Sequence, residues 1–300
     1  MSPDLPPAPP TPPTPPTKQP AAARPEPLLI LATNDDGVSA PGLDGLRRAL
    51  APVGRVVCVA PDREQSAQSH ALTLHDPLRL TQLAPDVWSV DGTPTDCVLL
   101  AVNAVLDRRP DLLVSGINSG PNLGDDVNYS GTVAAAVEGH RLGIPALAVS
   151  LGREPARDLA HAGELTLRLV QRLVELGAVT PGGRNGKGAQ TAGAGAGEDG
   201  LLLNMNVPAR RREEIRGFAV TRLGKRVYRD VVVAKVDPHG RPYYWIGGET
   251  PIWERGEGHE ETDFAAIEAG FVSITPLRLD RTDYDGIKRL GTWNLPALGA

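Results

Sequence analysis

Residues 28–42 read LLILATNDDGVSAPG. The first five are apolar without alternation, the texture of a strand buried on both faces of a parallel sheet. Two adjacent carboxylates, Asp35 and Asp36, follow almost at once. Like charges side by side repel, and leaving water sharpens the repulsion unless something compensates it. On a straight strand the two side chains would point to opposite faces. Gly37 permits a turn there that could bring both to one ligand. Two readings stand at this point: a hard cation such as Mg²⁺, Mn²⁺ or Ca²⁺ held by both carboxylates, or an aspartate that merely caps a helix or starts an Asx-turn.

Outward from this stretch, strands and helices alternate. Ser39 as N-cap and Pro41 in the first turn predict a helix over GLDGLRRAL. RVVCVA predicts a strand, PTDCVLLAVNAVL a helix from Pro94, DLLVSG a strand, GTVAAAVEGHRLG a helix and IPALAVSL a strand. From Asp158 to Leu176 apolar residues recur at helical spacing, with Gly177 able to end the helix. LLLNMNVP resumes as a strand. This rhythm predicts an α/β fold with a mainly parallel sheet and helices on both faces, spanning residues 28–206. Residues 181–200 hold eight glycines and four alanines and read as a flexible insertion that cannot build a core. Beyond residue 207 a DPHG turn between β-rich runs predicts a hairpin, and FVSITPLRL one more strand. Residues 207–300 are therefore expected to form a smaller lobe used in oligomerisation.

The chain has 300 residues, 41% of them hydrophobic, and a net charge of -5. That is enough for one large domain with an appendage, or for two domains. The mild acidity offers no reason to expect long nucleic acids as partners, while small anionic substrates stay open. No apolar stretch approaches the ~18–20 residues of a membrane helix, so no membrane is expected. Cys58 and Cys97 read as small buried thiols in a reducing compartment. Residues 1–27 hold 12 of the 29 prolines and read as an extended, solvated tail.

Ligands of open parallel sheets bind beyond the carboxyl ends of the strands. Three such segments are rich in oxygen-bearing side chains: NDDG, PDREQSAQSHALTL and INSGPNLGDDVNYSGT. The last feeds a helix, with Ser130, Gly131 and Thr132 at its start, where unpaired N–H groups could hold a phosphate; equally, Ser130 could be an ordinary N-cap. The loop matches neither the Walker pattern nor GxGxxG. Asp125 and Asp126 could hold another metal, but read rather as a solvated, turn-forming pair. His70 could touch a leaving-group oxygen or be structural. Tyr243, Tyr244 and Trp245 read as packing residues rather than a base-stacking platform.

Together NDDGVSAPG, APDREQSAQSHALTL, GTPTDCV and SGINSGPNLGDDVNYSGTVAAAVEG resemble the SurE family, the survival-protein 5′-nucleotidases. The resemblance is close over residues 28–151 and resumes more loosely at LLNMNVP, YYWIGG and TDFAAIEAGFVSITPL. It implies a Rossmann-like core and a C-terminal hairpin and tail exchanged between subunits of a homodimer or homotetramer. The implied activity is metal-dependent hydrolysis of nucleoside 5′-monophosphates in the cytoplasm, some members also trimming short-chain polyphosphate. Position by position, it implies that Asp35, Asp36, Ser66 and Asn118 bind one Mg²⁺ or Mn²⁺, with Asp35 or Asp36 taking the attacking proton. Asn122, Ser130, Gly131 and Thr132 match residues lining the phosphate pocket. Ala67 departs from a glycine common in relatives.

A magnitude favours the cation independently. Phosphate monoester hydrolysis is accelerated by up to ~10²¹-fold, of which general acid–base catalysis supplies only ~10²–10⁴. Charge stabilisation and positioning must supply much of the rest. Two rivals are an aspartyl-phosphate phosphatase, which usually needs a second Asp where Gly37 stands, and a non-catalytic nucleotide sensor.

Overall fold

The computed structural model describes residues 27–153, 158–183, 200–227, 232–246 and 252–293. Apart from their edges, the proline-rich tail and the 181–200 insertion lie outside the described residues. In chain order come β1 (Leu28–Thr33), α1 (Pro41–Leu50), β2 (Gly54–Pro61), β3 (Leu80–Ala84), β4 (Val87–Val90), α2 (Pro94–Leu100), β5 (Leu112–Ser119), α3 (Gly131–Arg141), β6 (Ala146–Leu151), α4 (Leu159–Glu175) and β7 (Leu202–Val207). Then follow β8 (Phe218–Val220), β9 (Arg226–Val227), β10 (Val232–Val236), β11 (Pro242–Ile246), β12 (Ile252–Trp253), α5 (Asp263–Glu268), β13 (Val272–Pro276) and α6 (Tyr284–Gly291).

Nine strands form one sheet in the order β3-β4-β2-β1-β5-β6-β7-β13-β8. From β4 to β7 all neighbours are parallel; β3 and β13 run antiparallel to β4 and β7. This is the expected Rossmann-like α/β architecture. The chain leaves β1 for β2 on one side and later returns to lay β5 on the other. The crevice between β1 and β5 is thus where strand order reverses, the place where such sheets bind ligands.

β1 shows why LLILAT fixes the centre. Leu28, Ile30 and Ala32 enter one core cluster with Leu43, Leu46 and Leu50 of α1. Leu29 and Leu31 enter the opposite cluster with Cys97 and Val98 of α2 and Val133 of α3. Period-two alternation therefore buries both faces, each large side chain adding ~1.5–3 kcal/mol of transfer free energy. Cys58 and Cys97 are free, buried and in different clusters, and burial pushes the Cys58 thiol up to about 12.

Several local expectations are corrected. Ala40, with no capping side chain, occupies the N-cap of α1 in place of Ser39, and Pro41 supplies the start signal. The helix from Pro94 is α-helical only to Leu100 and continues as a π-helical turn over Ala101–Val105. The hairpin of the mostly exposed β3 and the short, half-buried β4, without a long apolar run, escaped the sequence reading. The sheet also passes the expected boundary at residue 206: β13 pairs with β7, and β8 with β13. The DPHG hairpin forms as expected, with β10 antiparallel to β11 outside the main sheet.

Candidate active site

β1 ends at Thr33, and Asn34, Asp35 and Asp36 form a bend at the mouth of the β1/β5 crevice. Gly37 at φ 99° lets the chain turn, and the Asn34 side-chain amide donates to the Gly37 carbonyl at 2.9 Å. Because the strand has ended, the two aspartates escape its strict alternation. Asp35 is buried, 4% exposed, and faces the start of α3. Thr132 Oγ1 donates to its Oδ1 at 2.5 Å. A Cβ on Gly131 would lie 2.8 Å from Asp35 Cβ, so only glycine allows this approach. Asp36 is half-buried, and its Oδ2 accepts the Ser119 N–H at 3.0 Å from the end of β5.

Among the described residues Asp35 has no ion-pair partner. Its pKa is pushed up to about 6: burial is the largest cause, the Thr132 hydroxyl opposes it, and the Asp36 charge adds to it. Asp35 is therefore sensitive to its neighbour's charge, as expected.

The other expected ligands come from neighbouring loops. The Gln65 N–H donates to the Asp35 carbonyl at 2.8 Å, drawing the loop after β2 onto the bend. On that loop the exposed Ser66 donates its hydroxyl to Glu64 at 2.8 Å. Asn118 donates its amide to the Gly120 carbonyl at 2.8 Å. Ser66 and Asn118 thus have donors committed to protein, which leaves oxygen lone pairs for a cation. Asn34 Oδ1, buried at the same bend, has no hydrogen-bond partner. The donor set is all oxygen with two carboxylates, the chemistry of a hard divalent ion completed by water or substrate. Among the described residues no cluster of three or more His, Cys, Asp or Glu forms an alternative metal centre. These residues fit the ion.

The phosphate-pocket residues divide by their contacts. Ser130 is the N-cap of α3, accepting the Val133 N–H at 3.1 Å, which leaves its hydroxyl hydrogen available. Both readings of Ser130 are thus compatible. Asn122 is turned into the sheet: its amide donates to Ser150 Oγ at 2.7 Å, and its carbonyl accepts from Asn204 and Asn206. There it holds the loop against β6 and β7.

Of the residues left open, His70 pairs through Nε2 with the buried Glu138 of α3 at 2.9 Å, tying the Ser66 loop to that helix. Asp125 and Asp126 are engaged by the backbone and guanidinium of Arg226. Tyr244 and Trp245 lie exposed on β11 instead of packing within the chain. Ala67 takes φ 59°, the left-handed region that favours glycine. Sequence reasoning missed the roles of Thr132 Oγ1, Ser119 N–H and Glu64, contacts that side-chain type alone does not announce.

Known proteins resemble this chain in sequence and in fold. The sequence signature described as Survival protein SurE matches residues 30–230. A protein named 5′-nucleotidase SurE from Geobacter metallireducens is 48% identical over 266 residues, covering 88% of this chain and 97% of that protein. One of the same name from Coxiella burnetii is 47% identical, covering 89% and 95%. The crystal structure of the SurE protein from Aquifex aeolicus superposes with a TM-score of 0.71 at 38% identity, covering 88% of this chain and 99% of that one. With its paired aspartates at the strand-order switch and a matching sequence signature over two-thirds of its length, this chain belongs to the survival protein SurE family.

Proposed function

We propose that this protein is a 5′-nucleotidase that hydrolyses nucleoside 5′-monophosphates to nucleoside and phosphate, with short-chain polyphosphate as a further substrate. The observation that carries the reading is the convergence on Asp35 and Asp36 of the α3 start and the β5 end, from opposite sides of the switch-point crevice. The names of the relatives support the substrate class.

Asp35, Asp36, Ser66 and Asn118 would hold one Mg²⁺ or Mn²⁺. A divalent cation bound there supplies Lewis acidity and neutralises charge on the phosphoryl oxygens. Thr132 orients the Asp35 carboxylate through its hydroxyl, and the Ser119 amide orients Asp36. Ser130 donates its free hydroxyl hydrogen, and the Gly131 and Thr132 amides of the first turn of α3 face the phosphoryl group, where the helix dipole favours negative charge. Asn122 keeps that loop in register with β6 and β7. Asp35 or Asp36 takes the proton of the attacking water.

The protein would work as a homodimer or homotetramer through its C-terminal region. Val236, Tyr244, Trp245 and Ile246 of the β10–β11 hairpin, and Tyr284, Ile287 and Leu290 of α6, are exposed apolar residues that association would cover. Among the described residues no helix is long and apolar enough to cross a membrane. The two buried free thiols fit a reducing, cytoplasmic setting.

The test is phosphate release from AMP and GMP in Mg²⁺ or Mn²⁺ with an EDTA control. The reading expects release that stops with EDTA and returns with metal. Full activity in EDTA, or nucleotide binding without release, would overturn it.

A further inference from the structure

We infer that Arg153 is a phosphoryl-binding residue of this site, the cation that determines its preference for a dianionic group. The inference rests on the phosphatase reading above and adds to it a residue outside the three loops of the site. Charge counting shows the need. Two carboxylates and one divalent cation sum to zero, and a phosphate monoester arrives as a dianion near neutral pH. The α3 N-terminus offers only about half a positive charge. A cation must make up much of the difference.

Arg153 lies two residues beyond β6, on the carboxyl edge of the sheet that bears the site. Its guanidinium rests against Gly120: a Cβ on Gly120 would be 2.8 Å from Arg153 Nε and 3.4 Å from Nη2. Gly120 is itself part of the site's frame, since its carbonyl receives the Asn118 amide. Its neighbour Ser119 donates to Asp36. The guanidinium therefore stands on the Asp36 flank of the crevice, while Gly131 stands against Asp35.

Arg153 is exposed and, among the described residues, has no carboxylate partner, unlike Arg108, Arg212 and Arg226, which are all ion-paired. A guanidinium carries five donors in one plane and matches two phosphoryl oxygens at once. Ser119 and Gly120, fixed by their hydrogen bonds to Asp36 and Asn118, form the backbone surface against which this guanidinium lies. There it is placed to receive an incoming anion.

The experiment compares the full-length wild type with Arg153→Gln and Arg153→Lys in saturating Mn²⁺. It reads KM and kcat for AMP, inhibition by inorganic phosphate, and inhibition by adenosine. For Arg153→Gln, KM and the inhibition constant of inorganic phosphate should each rise about 10- to 100-fold, with kcat falling less. Adenosine, which lacks the phosphate, should inhibit both proteins equally, and Arg153→Lys should recover part of the loss. Added salt should weaken phosphate inhibition more in the wild type than in Arg153→Gln. Unchanged KM and phosphate inhibition in Arg153→Gln would overturn the inference, as would an equal loss of adenosine inhibition. Calorimetric binding of inorganic phosphate separates the two readings. A wild type that binds phosphate but does not hydrolyse AMP contradicts the nucleotidase reading alone. Equal phosphate affinity in wild type and Arg153→Gln contradicts the role of Arg153 alone.

Discussion

Two buried aspartates stand at opposite ends of adjacent strands, and they are treated differently. At the amino end, Asp111 lies just before β5, accepts the Leu29 N–H at 2.8 Å, and is gripped by both terminal nitrogens of Arg108 at 3.0 Å. At the carboxyl end, Asp35 has a threonine hydroxyl, a neighbouring carboxylate and no cation from the described protein. The first arrangement is complete and ties two strands together. The second leaves a charge deficit that a bound ion would relieve. On the proposed reading, stability and function are separated along the strand direction, as expected of open α/β sheets.

The contrast can be broken most strongly at Asp35. Asp35→Asn should lower metal-dependent phosphate release by about 10³-fold or more, the scale of losing a principal electrostatic group. The same change should raise the stability of the metal-free protein at pH 7, by about 1–3 kcal/mol. The sign follows from the pKa. Asp35 titrates at about 6 in the folded protein against 3.8 when unperturbed, so between these values the fold retains a proton that the unfolded chain has released. Its stabilising contribution is present below about pH 4 and is lost as pH rises through 6. Thermal unfolding of the metal-free wild type and Asp35→Asn between pH 4 and 7 measures this. The gap between them should widen with pH, and parallel curves would contradict the burial account.

Asp111→Ala should do the reverse. Removing the buried carboxylate leaves the Leu29 amide unsatisfied and releases the partly exposed Arg108, and costs about 1–3 kcal/mol. Denaturant unfolding would read that loss, while kcat of the folded fraction should stay within about twofold. A large loss of kcat with unchanged stability would show that the two ends are not separated.

The smallest effect concerns Ala67, next to Ser66 in the loop after β2. Ala67→Gly removes the steric cost of the left-handed conformation at φ 59° but adds unfolded-chain entropy. A stabilisation of at most about 1 kcal/mol is expected, and a clear destabilisation would show that the loop does not hold that conformation.

The fold was legible where burial is two-sided. LLILAT, RVVCVA and IPALAVSL announce central strands because no polar face interrupts them. The exposed strand β3 and the short, half-buried β4 lack that signal, and β8 and β13 join the sheet through pairings between residues far apart in sequence, which local patterns do not encode. At the site, residue types pointed to the crevice, and the family resemblance added Ser66, Asn118 and Asn122. Contacts decided the rest. That Thr132 holds Asp35, that Asn122 turns into the sheet, and that Arg153 reaches Gly120 depend on three-dimensional approach, made possible by residues as small as Gly131 and Gly120.

The central claim is that Asp35 and Asp36, with Ser66 and Asn118, form a single site for a divalent cation. Calorimetric titration of Mn²⁺ into the metal-stripped protein tests it most directly. The account predicts one ion bound per chain in the wild type, and binding weakened beyond detection in both Asp35→Asn and Asp36→Asn. An unchanged isotherm in either variant would contradict it.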